Sequence, residues 1–594
     1  MKNSYDVIIV GSGASGFAAA DYLYEYGVKD VCIVTEGINM GTSRNTGSDK
    51  QTYYKLDICS DEGDSVKKMA LDLFSGGSAD GALSLIEAAS SVRCFMHLAE
   101  IGVPFPTDKY GRYAGYRTDH DNTKRATSAG PLTSKYMTER LQERVEKNGT
   151  PVLDSHQAVK LIAENGVCRG VMCLTKNGVK ALFSKAVLLC TGAPAGIYSR
   201  SVYPQSQTGA TGLALEAGAK LANFQEWQYG LASIGFRWNL SGSYQQVIPR
   251  YVSVSPDGEE REFLINGENA DEIYSNVFLK GYQWPFDSRK INGSSRIDLL
   301  VFDELKKGNR VFLDYTKNPR DFRFEGLSEE ARKYLTDTGA LGDTPFERLC
   351  KLNPKAVKLY LDNGTELSSE MLEISLCAQH NNGGIKTDLN CETDVKNLFA
   401  LGEAAGHFGV YRPGGSALND TQVSALLAAG YLSRALPYIA QPEKTYEELP
   451  MPRCSPQPTL YELEKKYRLK MSDCAGVFRE CSEIAELLPE LTGLYEHFYE
   501  RVTVENEEKA GDFFRFKHTL LSMIYLCRTV SDSAKTIGSR GGSVCTLNGA
   551  VLEENEKYRS YITVTSAEKT EYIPVQPVPD EQYVFEILLK GEKE

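Results

Sequence analysis

The chain has 594 residues, more than one hydrophobic core can organise, so roughly two to four domains are expected. It is 42% hydrophobic and 24% charged, the composition of a globular protein in water, and its net charge of −13 works against a nucleic-acid surface, which needs a basic stripe. No apolar run reaches the ~18 residues of a membrane span, and the fourteen cysteines include no CxxC pair, so neither zinc nor iron–sulfur ligation is expected and no metal site is assigned.

The N-terminus runs straight into an apolar strand at residues 5–10, which leaves no room for a signal peptide and points to the cytoplasm. The strand ends in Gly11-Ser12-Gly13-Ala14-Ser15-Gly16, a helix follows over 17–25, and a second apolar strand at 31–34 delivers Glu36. Strand, glycine-rich turn, helix, strand and acid in this order form a dinucleotide fingerprint, whereas the glycines alone would be weak evidence. Gly11 makes the tight turn, Gly13 admits a pyrophosphate to the backbone, and Gly16 allows helix and strand to pack closely. The helix N-terminus holds the phosphate charge. Glu36 suits ribose hydroxyls and argues against a 2′-phosphate, so the ligand is FAD or NAD.

The small, polar loop 41–47 is suited to pass along a flat ring. Helical periodicity returns over 66–98, with breaks at 75–80, and again over 134–147. The period then changes to strands at 157–163, 170–175 and 181–183, with Asn165-Gly166 and Asn177-Gly178 as hairpin turns. An apolar strand from 186 ends in Thr191-Gly192-Ala193, and Thr208-Gly209-Ala210-Thr211-Gly212 opens a helix running to Gly218. Residues 226–370 break the α/β rhythm and have their clearest strand at 311–314. The nucleotide theme returns in a strand leading to Gly402-Glu403, followed by Gly414-Gly415-Ser416-Ala417-Leu418 and a helix over 421–435. A proline-rich linker at 449–458 precedes apolar helical stripes to about 538, and 558–589 reads as β-rich.

Together these pieces resemble the succinate dehydrogenase/fumarate reductase flavoprotein family, which includes L-aspartate oxidase. The matching stretches are 11–16 with Glu36, 191–193, 208–212, 383–388, 401–405, 412–418 and 471–479, colinear with the family over roughly residues 5–545. The resemblance implies an α/β fold: a glutathione-reductase-type, Rossmann-like FAD-binding domain from segments 1–225 and 371–448, an inserted capping domain at 226–370, a C-terminal helical domain at 449–545 and a β-rich tail at 546–594. It implies FAD contacts at Gly11, Gly13, Ala14, Ser15, Gly16, Glu36, Ser43, Arg44, Thr46, Gly47, Thr191, Gly192, Thr208, Gly209 and Gly402. It also implies that Glu403 meets the ribityl chain and that the N–H groups of Ser416, Ala417 and Leu418 face the flavin pyrimidine edge. Some members attach FAD through a histidine; here that position reads Ser43-Arg44-Asn45, so the FAD is expected to be non-covalent.

Hydride transfer to or from a carbon beside a carboxylate needs a cation for the carboxylate and a proton donor or acceptor on the opposite face. By resemblance Arg412 takes the first role and Arg296 the second, although the family's Arg-Asp reads Arg296-Ile297-Asp298 here. The family's two carboxylate-binding histidines fall on Gln228 and Gln379, with His380 one place late and the remaining candidate beside Gly383-Gly384. Such a pocket is poorly built for a small dicarboxylate. Tyr229, with Tyr53, Tyr54, Trp227 and Tyr411, is expected to line a larger or partly apolar site. The resulting expectation is reduction of an activated C=C bond in an enoate or enone other than fumarate. The alternatives are an L-aspartate-oxidase-like amino-acid oxidase and an electron-transfer flavoprotein subunit of a larger complex. The expected partners are a small carboxylate- or carbonyl-bearing substrate and a separate electron carrier, with no nucleic acid and no membrane span.

Overall fold

The first strand, Ser4–Val10, lies at the centre of a seven-stranded sheet, because its Val and Ile side chains must be covered on both faces. Val31–Val34 pairs parallel on one side, with Ile8 opposite Cys32, and Gly178–Leu189 on the other, with Ile8 opposite Val187. The structure is a computed structural model that describes residues 2–59, 63–118, 121, 123–207, 209–267 and 269–580. Thr208, expected at the cofactor, and the last stretch of the tail lie outside them.

Gly178–Leu189 serves two structures at once. Its first half pairs antiparallel with Val167–Thr175, which pairs in turn with Gln157–Glu164, giving the expected meander. Its second half, from Ala186, runs parallel between Ser4–Val10 and Leu398–Ala400, the strand that brings in Gly402. The sequence shows two strands here where the structure has one. The polar Ser184-Lys185 pair that interrupts the apolar pattern is accommodated without a break, Ser184 Oγ donating to Ala186 O at 2.8 Å and Lys185 Nζ lying 3.0 Å from Asp6.

The helices Ala14–Glu25, Thr133–Lys147 and Ser416–Ala435 cover one face of this sheet. The helical stretch broken at 75–80 appears as Val66–Phe74 and Gly81–Glu100, the second capped by Asp80, whose carboxylate accepts from Ala82 and Leu83 N–H at 2.8 and 3.0 Å.

A second, six-stranded antiparallel sheet forms the cap, in the order Trp238–Asn239, Trp227–Ser233, Leu372–Asn381, Arg310–Asp314, Arg250–Val254, Glu260–Glu262. Leu372–Asn381, on the nucleotide side of the 370/371 boundary expected from sequence, hydrogen-bonds into this cap sheet. The C-terminal helices Leu460–Cys474, Cys481–Glu496 and Ala510–Ile537 pack together, and the tail strand Tyr561–Thr565 returns to pair with Leu221–Ala222 beside the nucleotide segments. No helix among the described residues is long and apolar enough to cross a membrane.

Candidate active site

A cavity of about 770 Å³ runs from the first glycine turn to the underside of the cap. At one end Gly11 holds φ at +111°, and a Cβ there would stand 2.4 Å from the Cys190 carbonyl oxygen. A Cβ at Gly16 would stand 2.0 Å from the Gly11 carbonyl. Both positions therefore require glycine, and the helix Ala14–Glu25 opens directly onto the cavity, lined there by Gly11, Ser12, Gly13 and Ser15. Ser43, Thr191, Gly192 and Gly209 line the same end. The hydroxyls of Thr42 and Thr191 are buried at the cavity and have no hydrogen-bond partner among the described residues. Glu36 also lines it, with its carboxylate paired to Arg515.

Further along, Thr46, Gly47, Ala417 and Leu418 line opposite parts of the wall. The helix expected from 421 begins at Ser416, because Gly415 takes the left-handed conformation (φ +93°) that turns the chain into it. The N–H groups of Ser416 and Leu418 are taken up by the carbonyls of Pro413 and Gly415 at 3.2 and 3.1 Å.

Beneath the cap, Glu403 projects into the cavity after the positive-φ turn at Gly402 and accepts from Tyr203 OH and from Asn381 N–H at 3.2 Å. Burial pushes its carboxyl up to about 7. His380 Nδ1 donates to Asn382 Oδ1 at 3.2 Å. Its Nε2 is buried without a hydrogen-bond partner among the described residues, 3.6 Å from Glu403 Oε1. Burial, reinforced by Arg412, lowers the His380 pKa well below the usual histidine value and keeps the ring neutral.

Arg412 donates from Nη2 to Gln228 Oε1 at 2.8 Å and from Nε to Asn382 Oδ1 at 3.1 Å, and Nη1 lies 3.5 Å from Ser416 Oγ. Asn382 is oriented by its own amide, which donates to Val410 O at 3.1 Å. Burial pulls the guanidinium down to about 10, against the raising influence of Glu403. Its hydrogen-bond partners are all neutral, and it makes no salt bridge among the described residues. Such a group holds charge in reserve for a ligand.

The pairing of the two cap strands explains how Gln379 and His380 reach the same cavity. Gln228 pairs with His380 and Tyr229 with Ala378, so Gln379 is the extra residue of a β-bulge. Strict alternation would send neighbouring side chains to opposite faces; the bulge brings both to the wall, where Gln379 Nε2 donates to Gly230 O at 2.8 Å.

The model of the FAD binding domain family matches residues 6–250 and 294–418, more than half of the chain. The chain belongs to the FAD binding domain family. It is 25% identical over 435 residues to an uncharacterised FAD-dependent oxidoreductase of Methanocaldococcus jannaschii, covering 71% of each chain. It is 23% identical over 499 residues to an L-aspartate oxidase of Vibrio cholerae, covering 80% of this chain and 84% of that one. Its fold matches the FrdA chain of Escherichia coli quinol fumarate reductase with a TM-score of 0.72 at 17% identity, covering 98% of each. The protein is an FAD-dependent oxidoreductase, distantly homologous to fumarate reductase subunits and to L-aspartate oxidases. The obligatory glycines at 11 and 16, the open helix N-terminus and the unpartnered Thr42 and Thr191 hydroxyls fit such a dinucleotide.

Several residues that the resemblance assigns to the site are not among those lining the cavity. Arg44 is directed at Gln142 on the neighbouring helix and packs on Phe17, 5.8 Å from the ring centroid, outside the cavity wall. Ala14, Gly16, Gly402 and Ser416 shape the cavity from behind, the Ala14 N–H being taken by Ser43 Oγ at 3.2 Å. Arg296 opens the cap helix Ser295–Lys306 and is half-buried beside its core stripe of Ile297, Val301 and Phe302, away from the cavity wall. Arg296 is thus not among the residues that line the cavity. Tyr229 alternates with Gln228 and faces the other way, its hydroxyl 2.7 Å from that of Tyr198. Tyr53, Tyr54, Trp227 and Tyr411 are likewise packing residues outside the wall, which instead carries Tyr116, Tyr203, Tyr282, Trp284 and Tyr334. Alternation on the 227–233 strand could have excluded Tyr229. No local pattern singles out the other five.

Proposed function

We propose that the protein binds FAD without a covalent link and reduces an activated C=C bond beside a carboxylate or carbonyl, on a substrate other than fumarate. FAD, when bound, supplies the hydride. The reading is carried by Arg412: a guanidinium facing the cavity with only neutral partners is built to take an anionic or strongly polar oxygen. Gln228 fixes its outer edge, and Gln379 adds a neutral polar group where a dicarboxylate site would be better served by cations. The aromatic groups Tyr282, Trp284 and Tyr334 on the cap side leave room for an apolar substituent. Glu403, whose carboxyl is pushed up to about 7, is the group that holds a proton for the substrate, while the neutral His380, its single N–H spent on Asn382 Oδ1, offers Nε2 beside it as an acceptor. Thr46 and Gly47, further along the wall, offer no histidine for a covalent link, and electrons reach the site from a separate carrier.

The test is anaerobic photoreduction followed by rapid mixing with enoates, enones, fumarate and L-amino acids. Rapid reoxidation by an enoate or enone, faster than by fumarate, is the expected result. Peroxide formation from an L-amino acid with no reoxidation by any C=C compound would place the chain with amino-acid oxidases. A co-purifying iron chromophore, with no activity on any small molecule, would make it an electron-transfer subunit. Acid precipitation should leave the yellow colour in the supernatant.

A further inference from the structure

We propose that the first turns of the C-terminal helix Ala510–Ile537 form the adenosine-side wall of the dinucleotide cavity, with Arg515 positioning Glu36 toward the ADP half of the ligand. This rests on the FAD reading above but concerns residues that lie outside the nucleotide-binding segments.

Three observations carry it. First, Glu36 and Arg515 both line the cavity and are paired with each other, and Arg515 is held from behind by Asp512 Oδ1 at 2.5 Å. A carboxylate that must accept from ribose hydroxyls is more useful with one oxygen fixed, and the guanidinium fork fixes it. Second, the helix is seated against the cavity wall with no slack. Gln157, a wall residue, donates from Nε2 to Gly511 O at 2.9 Å, and a Cβ at Gly511 would stand 2.4 Å from Gln157 Oε1. A Cβ at Gly212 would stand 2.5 Å from His518 Cα. Third, the helix is anchored to Thr211–Glu216 beside the cavity: His518, a wall residue, faces Glu216 Oε2 with its Nε2 at 3.6 Å, and the other oxygen, Oε1, is held by Lys517 at 2.6 Å and by Tyr495 OH at 2.8 Å.

The helical domain would then be a gate on the ADP half alone, leaving the riboflavin half to the cap and the 416–418 turn. The experiment uses full-length apoprotein, with ADP, FMN and FAD as probes, titrated by calorimetry and flavin fluorescence. Arg515→Gln is expected to weaken ADP and FAD about tenfold, or about 1.4 kcal/mol, while leaving FMN unchanged. Arg515→Lys should recover part of the loss. In the presence of Glu36→Gln, Arg515→Gln should cost little more, because its partner is already gone. Unchanged ADP affinity in Arg515→Gln, or an equal loss for ADP and FMN, would overturn the proposal. Wild-type protein that takes up no flavin at all would instead defeat the FAD reading on which it stands.

Discussion

Arg412→Lys keeps a positive charge in the cavity and removes the planar fork. In the native site two edges of the guanidinium are already engaged, Nη2 with Gln228 at 2.8 Å and Nε with Asn382 at 3.1 Å, and these bonds aim the rest of the group at the cavity. A lysine ammonium is a point charge on a flexible stem and cannot hold both protein acceptors and a bidentate oxygen pair. At least one charge-assisted hydrogen bond to the reacting ligand is therefore lost. Such a bond contributes about 1.5–3 kcal/mol, which corresponds to a roughly ten- to hundredfold fall in kcat/KM at 1.4 kcal/mol per decade. The same burial that pulls Arg412 down to about 10 would lower a lysine there too, so residual activity should fall off at a lower pH than in the parent. The assay is stopped-flow reoxidation of the photoreduced protein by the best enoate or enone, with the flavin spectrum recorded alongside. A variant that keeps its spectrum and reacts within threefold of the parent would refute the anion-clamp role.

Gly11→Ala should abolish or severely weaken flavin uptake, because the methyl would meet the Cys190 carbonyl oxygen at 2.4 Å at a φ of +111°; a normally yellow variant would contradict the turn geometry. Tyr229→Phe removes a hydroxyl shared with Tyr198 at 2.7 Å and should cost about 1 kcal/mol of stability with turnover unchanged; a large fall in kcat would return Tyr229 to the site. Burial works against the charge on His407, but Asp420 at 2.8 Å and Asp80 together outweigh it, so its native pKa is raised. A raised histidine stabilises fully below its unfolded value of about 6.5 and loses that contribution as pH rises through the native value. His407→Gln should accordingly lower the melting temperature at pH 6, with the gap shrinking towards pH 9; a gap that widens with pH would reverse the assignment.

What was legible in the sequence was local. The Gly11–Gly16 turn constrains itself within a few residues, and the Asp80 cap announces its helix at once, so both are written where they act. The failures are long-range or turn on a single residue of register. Arg515 meets Glu36 across 479 positions, and no pattern near either residue announces it. Gln379 and His380 could not be placed together without the bulge, which depends on how a strand 150 positions upstream pairs with theirs. Arg296 lies on a helix whose buried stripe is Ile297, Val301 and Phe302, a placement that the short Arg296-Ile297-Asp298 pattern does not announce. Aromatic residues were the least informative, since Tyr53 and Tyr54 serve the core as well as they would a ligand.

The strands Trp227–Ser233 and Leu372–Asn381 are where the chain enters and leaves the cap, and they are hydrogen-bonded to each other along their length. They act as a two-ply stalk. Gln228 and His380 are cross-strand neighbours on it, whereas Arg412 belongs to the floor below. Any tilt of the stalk carries the first two away together and breaks the Gln228–Arg412 bond. How tightly the protein holds its substrate and how far its roof is raised are then a single degree of freedom.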